Sequence, residues 1–382
     1  MISIPKYCTG CTACVSICPN NCIKMEKDKE GFVYPKINKE SCIECGLCEK
    51  VCPIINCYGH ETDLMKCYAI KNINYDERIK SSSGGMFSLI ANDVINQFGK
   101  IYGAAYNNDF LVHHVCVNRK EDISLLQGAK YTQSELNNCF QKVKTDLING
   151  DLVLFSGTPC QCAGLHSFLG KKYNNLIMID FVCHGVPSPK LWQFYIDYRS
   201  KQENGGNRPI SINMRSKKTG WSKYSYSTEF IYENKSTLVS NNCDLFMKSF
   251  IGNLCLRKSC MNCKNKGSNR YADLTLGDYW GIWNQYPEFD DNRGVSVVFI
   301  HSDKGHKILN RISEKCNMIP VSLNDAMKEN RSYSFSSIPH KNRDAFLALV
   351  NDENFENTVI EMLTNQNRDI KYFFKKLKMF FK

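Results

Sequence analysis

Between Cys8 and Pro53 the chain writes one pattern twice, C-x2-C-x2-C-x3-C-P: CTGCTACVSICP at 8–19 and CIECGLCEKVCP at 42–53. Three cysteines at x2 spacing wrap a loop around three corners of a cubane, and a fourth cysteine followed by proline starts a short helix. Two such runs specify two [4Fe-4S] clusters. Where two runs share a chain, the fourth cysteine of each closes the other run's cluster. That pairing assigns Cys8, Cys11, Cys14 and Cys52 to one cluster and Cys42, Cys45, Cys48 and Cys18 to the second. Zinc motifs instead hold their two cysteine pairs apart with a long spacer. Cys22 and Cys57 are surplus to these eight ligands and read as small buried hydrophobes.

The whole chain holds 21 cysteines in 382 residues. The N-terminal MISIPKYC has no apolar leader, and no run approaches the ~18 apolar residues of a membrane span. The cysteines therefore point to metal and redox chemistry in a reducing, cytoplasmic compartment rather than to a disulfide scaffold. The formal charge of +11 counts ligand thiols as neutral. A cubane with four thiolates carries about −2, so three of them would bring the protein to about +5. That balance gives little support to nucleic-acid binding and suits an acidic electron donor or an anionic cofactor.

Ile23 to Ile37 reads as a β-ribbon turning at Gly31. A second region opens with a strand, KCYAIKN. In KSSSGGMFSLIANDVINQFG at 80–99, Met86, Leu89, Ile90, Val94 and Ile95 share one helical face. The Ser83-Gly84-Gly85 loop then stands at a helix N-terminus, where it either receives a cofactor phosphate or merely caps the helix. Strands follow at Ile101–Tyr106 and Leu111–Val117. Leu152–Ser156, a helix at Gln161–Leu169 and Leu176–Val182 form a β-α-β unit, whose strands must be parallel. Cys160 and Cys183 therefore fall at the carboxyl edge of one sheet, where open α/β sheets bind ligands. Cys162 falls inside the helix and reads as structural. Antiparallel strands INMRSKK and YSYSTEFIY follow around Thr219-Gly220, and then CLRKSCMNC brings Cys255, Cys260 and Cys263 together.

The segments SSSGGMFS, QGAKYTQS, LFSGTPCQCAGL, DFVCHGVPSP, MRSKKTGW, CLRKSCMNC, LTLGDYWGI and RGVSVVFIH resemble the family of coenzyme F(420) hydrogenase/dehydrogenase beta subunits, in its bacterial form with an N-terminal ferredoxin domain. The resemblance covers about residues 65–302 beyond the ferredoxin-type runs. It implies a mixed α/β flavin-binding domain, placed at 65–325 around the parallel β-α-β unit, behind the two-cluster ferredoxin domain at 1–60; residues 326–382, beyond the resemblance, read as a helical extension with a basic amphipathic tail. It also implies FAD, held by Ser83, Gly84, Gly85, Lys130, Tyr131, Gln133, Gly157 and Thr158 of the matching segments. No G-x-G-x-x-G or Walker loop supports a nucleotide independently. Cys162 stands where the family has an aliphatic residue.

Cys160, Cys183, Cys260 and Cys263 can complete a third [4Fe-4S] cluster, with Cys255 as a spare; a four-cysteine zinc site or a set of buried thiols are the alternatives. His184 is either a proton donor to reduced flavin or a hydrogen-bonded structural histidine. Lys130 either pairs with flavin or is solvated. Asp278 either caps a turn or takes part in catalysis, and Arg215 and Trp221 frame a turn that is either solvated or faces an anionic substrate. In the tail, RDIKYFFKKLKMFFK at 368–382, an apolar face opposes a basic one. That suits an anchor on an anionic membrane or a helix docked on the protein's own core. The sum is an iron-sulfur flavoprotein oxidoreductase of unidentified substrate, partnered by a ferredoxin or a redox subunit. The competing reading is an electron-transfer subunit with no substrate of its own.

Overall fold

The β-branched and aromatic runs of the sequence become thirteen strands among the residues that the computed structural model describes, 3–56, 66–222 and 225–364. They are β1 (Ile23–Lys27), β2 (Val33–Ile37), β3 (Lys66–Asn72), β4 (Lys100–Tyr106), β5 (Val112–Val117), β6 (Val153–Ser156) and β7 (Leu176–Phe181). The rest are β8 (Ser211–Ser216), β9 (Ser227–Ile231), β10 (Ser236–Ser240), β11 (Leu274–Asp278), β12 (Ser296–Ile300) and β13 (Cys316–Val321). Cys57 and the 368–382 tail lie outside the described residues. Among those described, no helix is long and apolar enough to cross a membrane.

Eight strands form one sheet in the order β13-β3-β12-β11-β7-β6-β4-β5. Its centre is parallel, β4 with β6, β6 with β7 and β7 with β11. The expected β-α-β unit is therefore present, its helix running Pro159–Leu169. Both faces of this centre are buried, as parallel strands require. Leu154, Ile177 and Ile179 face the helices Met86–Asn96 and Asp303–Ile312, packing with Ile90, Val94 and Ile308. Their neighbours Val153, Phe155, Leu176 and Met178 face the other way, against Phe140, Val143, Leu165 and Phe168. This alternation is the two-residue period of a strand written into VLFS and LIMI.

Strands β8 to β10 form a separate antiparallel sheet. Helices Pro189–Asn204, Leu245–Ile251 and Arg343–Leu349 supply Trp192, Tyr195, Phe246 and Phe346 to a common core with Phe230. Phe355 and Val359 enter the same core, so the described part of 326–382 is an integral layer rather than an appendage. Trp192 is fully buried and its indole N–H reaches the Phe110 carbonyl at 2.8 Å. Burying such a ring contributes roughly 4–6 kcal/mol.

The ribbon β1–β2 and its flanking cysteine loops rest against both layers. Gly31, at the ribbon turn, has φ +87°, and a Cβ there would stand 2.7 Å from the Lys190 Cβ. Beside it, Arg343 holds Glu30 in a two-pronged ion pair of 2.5 and 3.1 Å.

Candidate metal centre

The two cysteine runs fold alike. Gly10 and Thr12 in the first, and Glu44 and Gly46 at the same offsets in the second, are left-handed, with φ of 71°, 63°, 53° and 73°. Short helices Ala13–Ile17 and Leu47–Lys50 follow at matching positions. For Thr12 and Glu44 that conformation costs about 1 kcal/mol or more each, and it persists where the surroundings over-determine it.

The thiols of the two runs lie among one another. Burial pushes the Cys11 thiol up to about 12, and the thiols of Cys14, Cys8 and Cys52 push the same way. Cys14 is likewise held up to about 12 by burial, with Cys8, Cys52 and also Cys48 beside it. Cys18 crosses to the other set, lining one cavity with Cys42, Cys45 and Cys48. Cys22 lines that cavity too, its Sγ 3.3 Å from that of Cys18. It is buried, as expected of a packing residue, but it is packed on a ligand-type sulfur.

A third thiol set lies where the parallel strands end. Cys160 follows β6 at the first turn of its helix, Cys183 follows β7, and Cys260 and Cys263 come from the turn Lys258–Asn262 and its cap. Burial drives the Cys160 thiol up to about 12, with Cys263, Cys183 and also Cys11 of the first run adding to it. Burial raises Cys260 too, and its thiol neighbours are Cys183, Cys160 and Cys263. The Val186 N–H donates to Cys260 Sγ at 3.3 Å, and the Thr158 hydroxyl lies 3.1 Å from Cys160 Sγ. Lys266 Nζ donates to the Cys183 carbonyl at 2.6 Å. Cys255 is fully buried between Leu254 and Leu256 in the aromatic core, with Cys260 the neighbouring thiol. Cys162 points its thiol at the Ile179 carbonyl, 3.6 Å away, as a structural cysteine does. Among the described residues, no three ligand-type side chains converge closely enough to hold a single metal ion.

The third and first sets adjoin. A Cβ on Gly164, in the helix that starts at Cys160, would stand 2.7 Å from Cys11 Cβ and 2.9 Å from Cys11 Sγ. Only glycine lets the two meet at this distance.

The other singled-out residues divide into those tied up within the fold and those facing the sheet edge. His184 is fixed between Asn253 Oδ1 at 2.7 Å and Ser332 Oγ at 3.3 Å, and burial lowers its pKa. Ser83 Oγ donates to the Val295 carbonyl at 2.9 Å, and the Gly84 amide to Ser296 Oγ at 3.0 Å. Gly85 is the N-cap of the helix Met86–Asn96, which has no side-chain cap. Thr158 caps the helix Pro159–Leu169 in a capping box with Gln161, while the Gly157 amide donates to the Ile179 carbonyl at 3.1 Å. Gln133 accepts from Arg257 at 2.8 Å. Lys130 Nζ donates to the Gln127 and Gly128 carbonyls at 2.8 and 3.3 Å and lies 5.7 Å from the Tyr106 ring centre. Desolvation draws it down to about 7. Tyr131 accepts from Arg215 at 3.2 Å and packs on Phe250.

Arg215, Trp221 and Asp278 correct the sequence reading. Arg215 is 3% exposed and Trp221 fully buried. Asp278 is no turn cap: it takes both Arg215 nitrogens, at 2.9 and 3.3 Å, and the Trp221 N–H at 3.3 Å. The turn closes inward because this carboxylate neutralises the buried guanidinium. Arg257, Lys217 and Lys266 escaped the sequence reading altogether. Lys217 Nζ joins the carbonyls of Arg78, Ser83 and Arg293 at 2.6, 2.6 and 2.8 Å. The available signal was position, since Lys217 and Arg257 stand inside MRSKKTGW and CLRKSCMNC.

Comparison with known proteins finds that residues 150–323 match the family described as the C terminus of the coenzyme F420 hydrogenase/dehydrogenase beta subunit, and that 7–55 match the 4Fe-4S dicluster domain. The chain is similar to the F subunit of the F(420)H(2) dehydrogenase of Methanosarcina mazei, with 25% identity over 40% of this chain and 46% of that protein. It thus spans about half the length of that relative. The 7Fe ferredoxin of Hydrogenibacillus schlegelii is 35% identical over 20% of this chain and 92% of its own length. A chain in the solved F420-reducing [NiFe] hydrogenase complex of Methanosarcina barkeri is similar over 71% of this chain and 90% of its own, at 18% identity and a TM-score of 0.48.

Proposed function

Because the chain belongs to the family of coenzyme F420 hydrogenase/dehydrogenase beta subunits and carries a 4Fe-4S dicluster domain, we propose that it is an iron-sulfur flavoprotein oxidoreductase. The observation that carries this reading is the third thiol set, Cys160, Cys183, Cys260 and Cys263, standing beside Cys11 of the first run. Four thiols are a soft donor set suited to an iron-sulfur cluster. When bound, the clusters would supply single electrons, and a flavin at the sheet edge would take up two of them together with a proton from solvent, giving a hydride equivalent.

The chain's own residues then have distinct tasks. Cys8, Cys11, Cys14 and Cys52 hold the inner cluster of the dicluster domain, and Cys18, Cys42, Cys45 and Cys48 the outer one. The exposure of Cys45 leaves the outer set open to a redox partner. FAD has its support at the carboxyl edge, where Lys130 has carbonyl partners and Tyr131 and Arg215 lie alongside. The uncapped start of the helix Met86–Asn96 suits a phosphate. Ser83 and Gly84 shape that loop from behind, since their polar atoms are already bonded. Gln133, Gly157 and Thr158 likewise act through the fold. His184, fixed on both nitrogens, orients the loop after Cys183.

Anaerobically purified full-length protein should contain about twelve iron atoms and one FAD per chain. Cys260→Ser and Cys263→Ser should each remove about four iron atoms and leave the dicluster signal intact. Stoichiometric zinc, or unchanged iron in both variants, would overturn the third cluster. The name of the Methanosarcina mazei relative, one subunit of a dehydrogenase, favours a second reading as the electron-transfer subunit of a larger assembly. Turnover with an artificial donor by the isolated protein separates the two.

A further inference from the structure

Arg257 is 1% exposed and lies in the loop that delivers Cys260 and Cys263 to the third thiol set. Its backbone is part of that set's frame. The Arg257 N–H donates to the Val186 carbonyl at 2.9 Å, and its carbonyl accepts from the Cys260 N–H at 2.9 Å. The guanidinium reaches out of the frame into the first cysteine run. Nε donates to the carbonyl of Cys8 at 2.9 Å, Nη2 to the carbonyl of Val33 at 3.0 Å and Nη1 to Gln133 Oε1 at 2.8 Å. The Tyr34 ring centre lies 4.0 Å from the guanidinium carbon. Gln133 completes the clamp, its Nε2 3.4 Å from the Thr9 carbonyl. The run is shaped to receive this clamp. A Cβ at Gly10 would stand 2.8 Å from Gln133 Nε2, 2.9 Å from the Val33 oxygen and 3.3 Å from Arg257 Nη1.

Those bonds give each guanidinium nitrogen of Arg257 a partner but leave its charge unpaired. Among the described residues no carboxylate forms an ion pair with it, unlike Arg215 and Arg270, which each have one, and Arg343, which has two. A buried cation without a counter-charge is destabilising, because desolvation is not offset by an opposite charge. The groups on either side of Arg257 that would supply negative charge are the two thiol sets, each about −2 as a loaded cubane. We propose that Arg257 is the shared counter-cation of the inner dicluster-domain cluster and the third cluster, and the positioning residue that fixes their separation. This rests on the reading that both thiol sets hold clusters. A positive charge between them favours the more negative, reduced state of each and so raises both midpoint potentials. Its bond to the Cys8 carbonyl holds the two loops in register.

The test uses full-length anaerobic protein as wild type, Arg257→Gln and Arg257→Lys. The readouts are iron and sulfide content, midpoints from an EPR-monitored redox titration, and the spin–spin broadening between reduced clusters. Arg257→Gln should keep its iron while the midpoints of the inner and third clusters fall and their mutual broadening changes. The outer cluster, closed by Cys18, should stay put as an internal reference. Arg257→Lys keeps the charge but cannot span three acceptors, so its midpoints should stay near wild type while the broadening changes. Wild-type midpoints and broadening in Arg257→Gln would overturn the proposal. If that variant loses iron, Arg257→Lys decides, and wild-type broadening there would overturn the positioning role. Failure of the underlying reading looks different, because wild-type protein would then hold about eight iron atoms per chain.

Discussion

At the scale of single residues, the fold uses buried cations in two ways. Arg215, Arg270 and Arg343 are each neutralised by a carboxylate. Lys130 has backbone carbonyls alone among its described bonds, and desolvation lowers its pKa to about 7. A bound anion, such as a flavin phosphate, would favour the ammonium and raise that pKa. Affinity for the anion should therefore be full below pH 7 and fall as pH rises through about 7, by up to about tenfold per unit. It should level off once pH passes the raised pKa of the complex. Equilibrium dialysis of FAD between pH 6 and 9 measures this, and Lys130→Met should bind more weakly with that slope removed. The same slope in Lys130→Met would take Lys130 out of the site.

At the scale of elements, the junction between the first cysteine run and the helix Pro159–Leu169 turns on one missing side chain. Ala at Gly164 would place its Cβ 2.7 Å from Cys11 Cβ, closer than carbon atoms approach, so the run must move away from the helix. Such overpacking costs typically about 1–3 kcal/mol. Gly164→Ala should lower the melting temperature and alter the EPR of the inner cluster while leaving the outer one unchanged. An unaltered spectrum would mean that the junction is slack. The helix itself and its strands were legible in advance, because LVLFS and LIMIDFV are continuous apolar runs with a turn between them. The dicluster runs were legible for a related reason, the cysteine spacing within each being local. The junction was not, since nothing in GTPCQCAGL says which loop will lie across its glycine. Nor was the inward turn of Trp221, which depends on Asp278, 57 residues further along. Arg257 is an extreme case: it meets Cys8 across 249 residues, and no pattern within either segment announces the other.

At the scale of the whole molecule, the dicluster region is joined to the rest by side chains from distant stretches of the chain. Glu30 sits at the ribbon turn, and Arg343, 313 residues away, comes from the helical layer that also packs Phe346 into the aromatic core. The Ser188 hydroxyl, which caps the next helix, also donates to the Glu30 carbonyl. Removing one partner of a buried ion pair costs about 3–5 kcal/mol when the other charge is stranded. Here Asp344 stays on Arg343 at 2.6 Å, so Glu30→Ala should cost less, about 2 kcal/mol. That loss should not spread evenly. The eight-stranded sheet keeps its own buried faces, whereas the ribbon has a small core and depends on its docking contacts. Hydrogen exchange should therefore speed up in β1 and β2 of Glu30→Ala while β6 and β7 keep wild-type protection, the signature of local opening. Transfer of electrons from the dicluster region to the third set should slow with it, because the inner cluster is held at its distance by this docking. Equal acceleration across all four strands would show that the pair stabilises the whole fold rather than the joint. Unchanged exchange everywhere would mean that Arg257, Gly164 and Ser188 carry the joint without it.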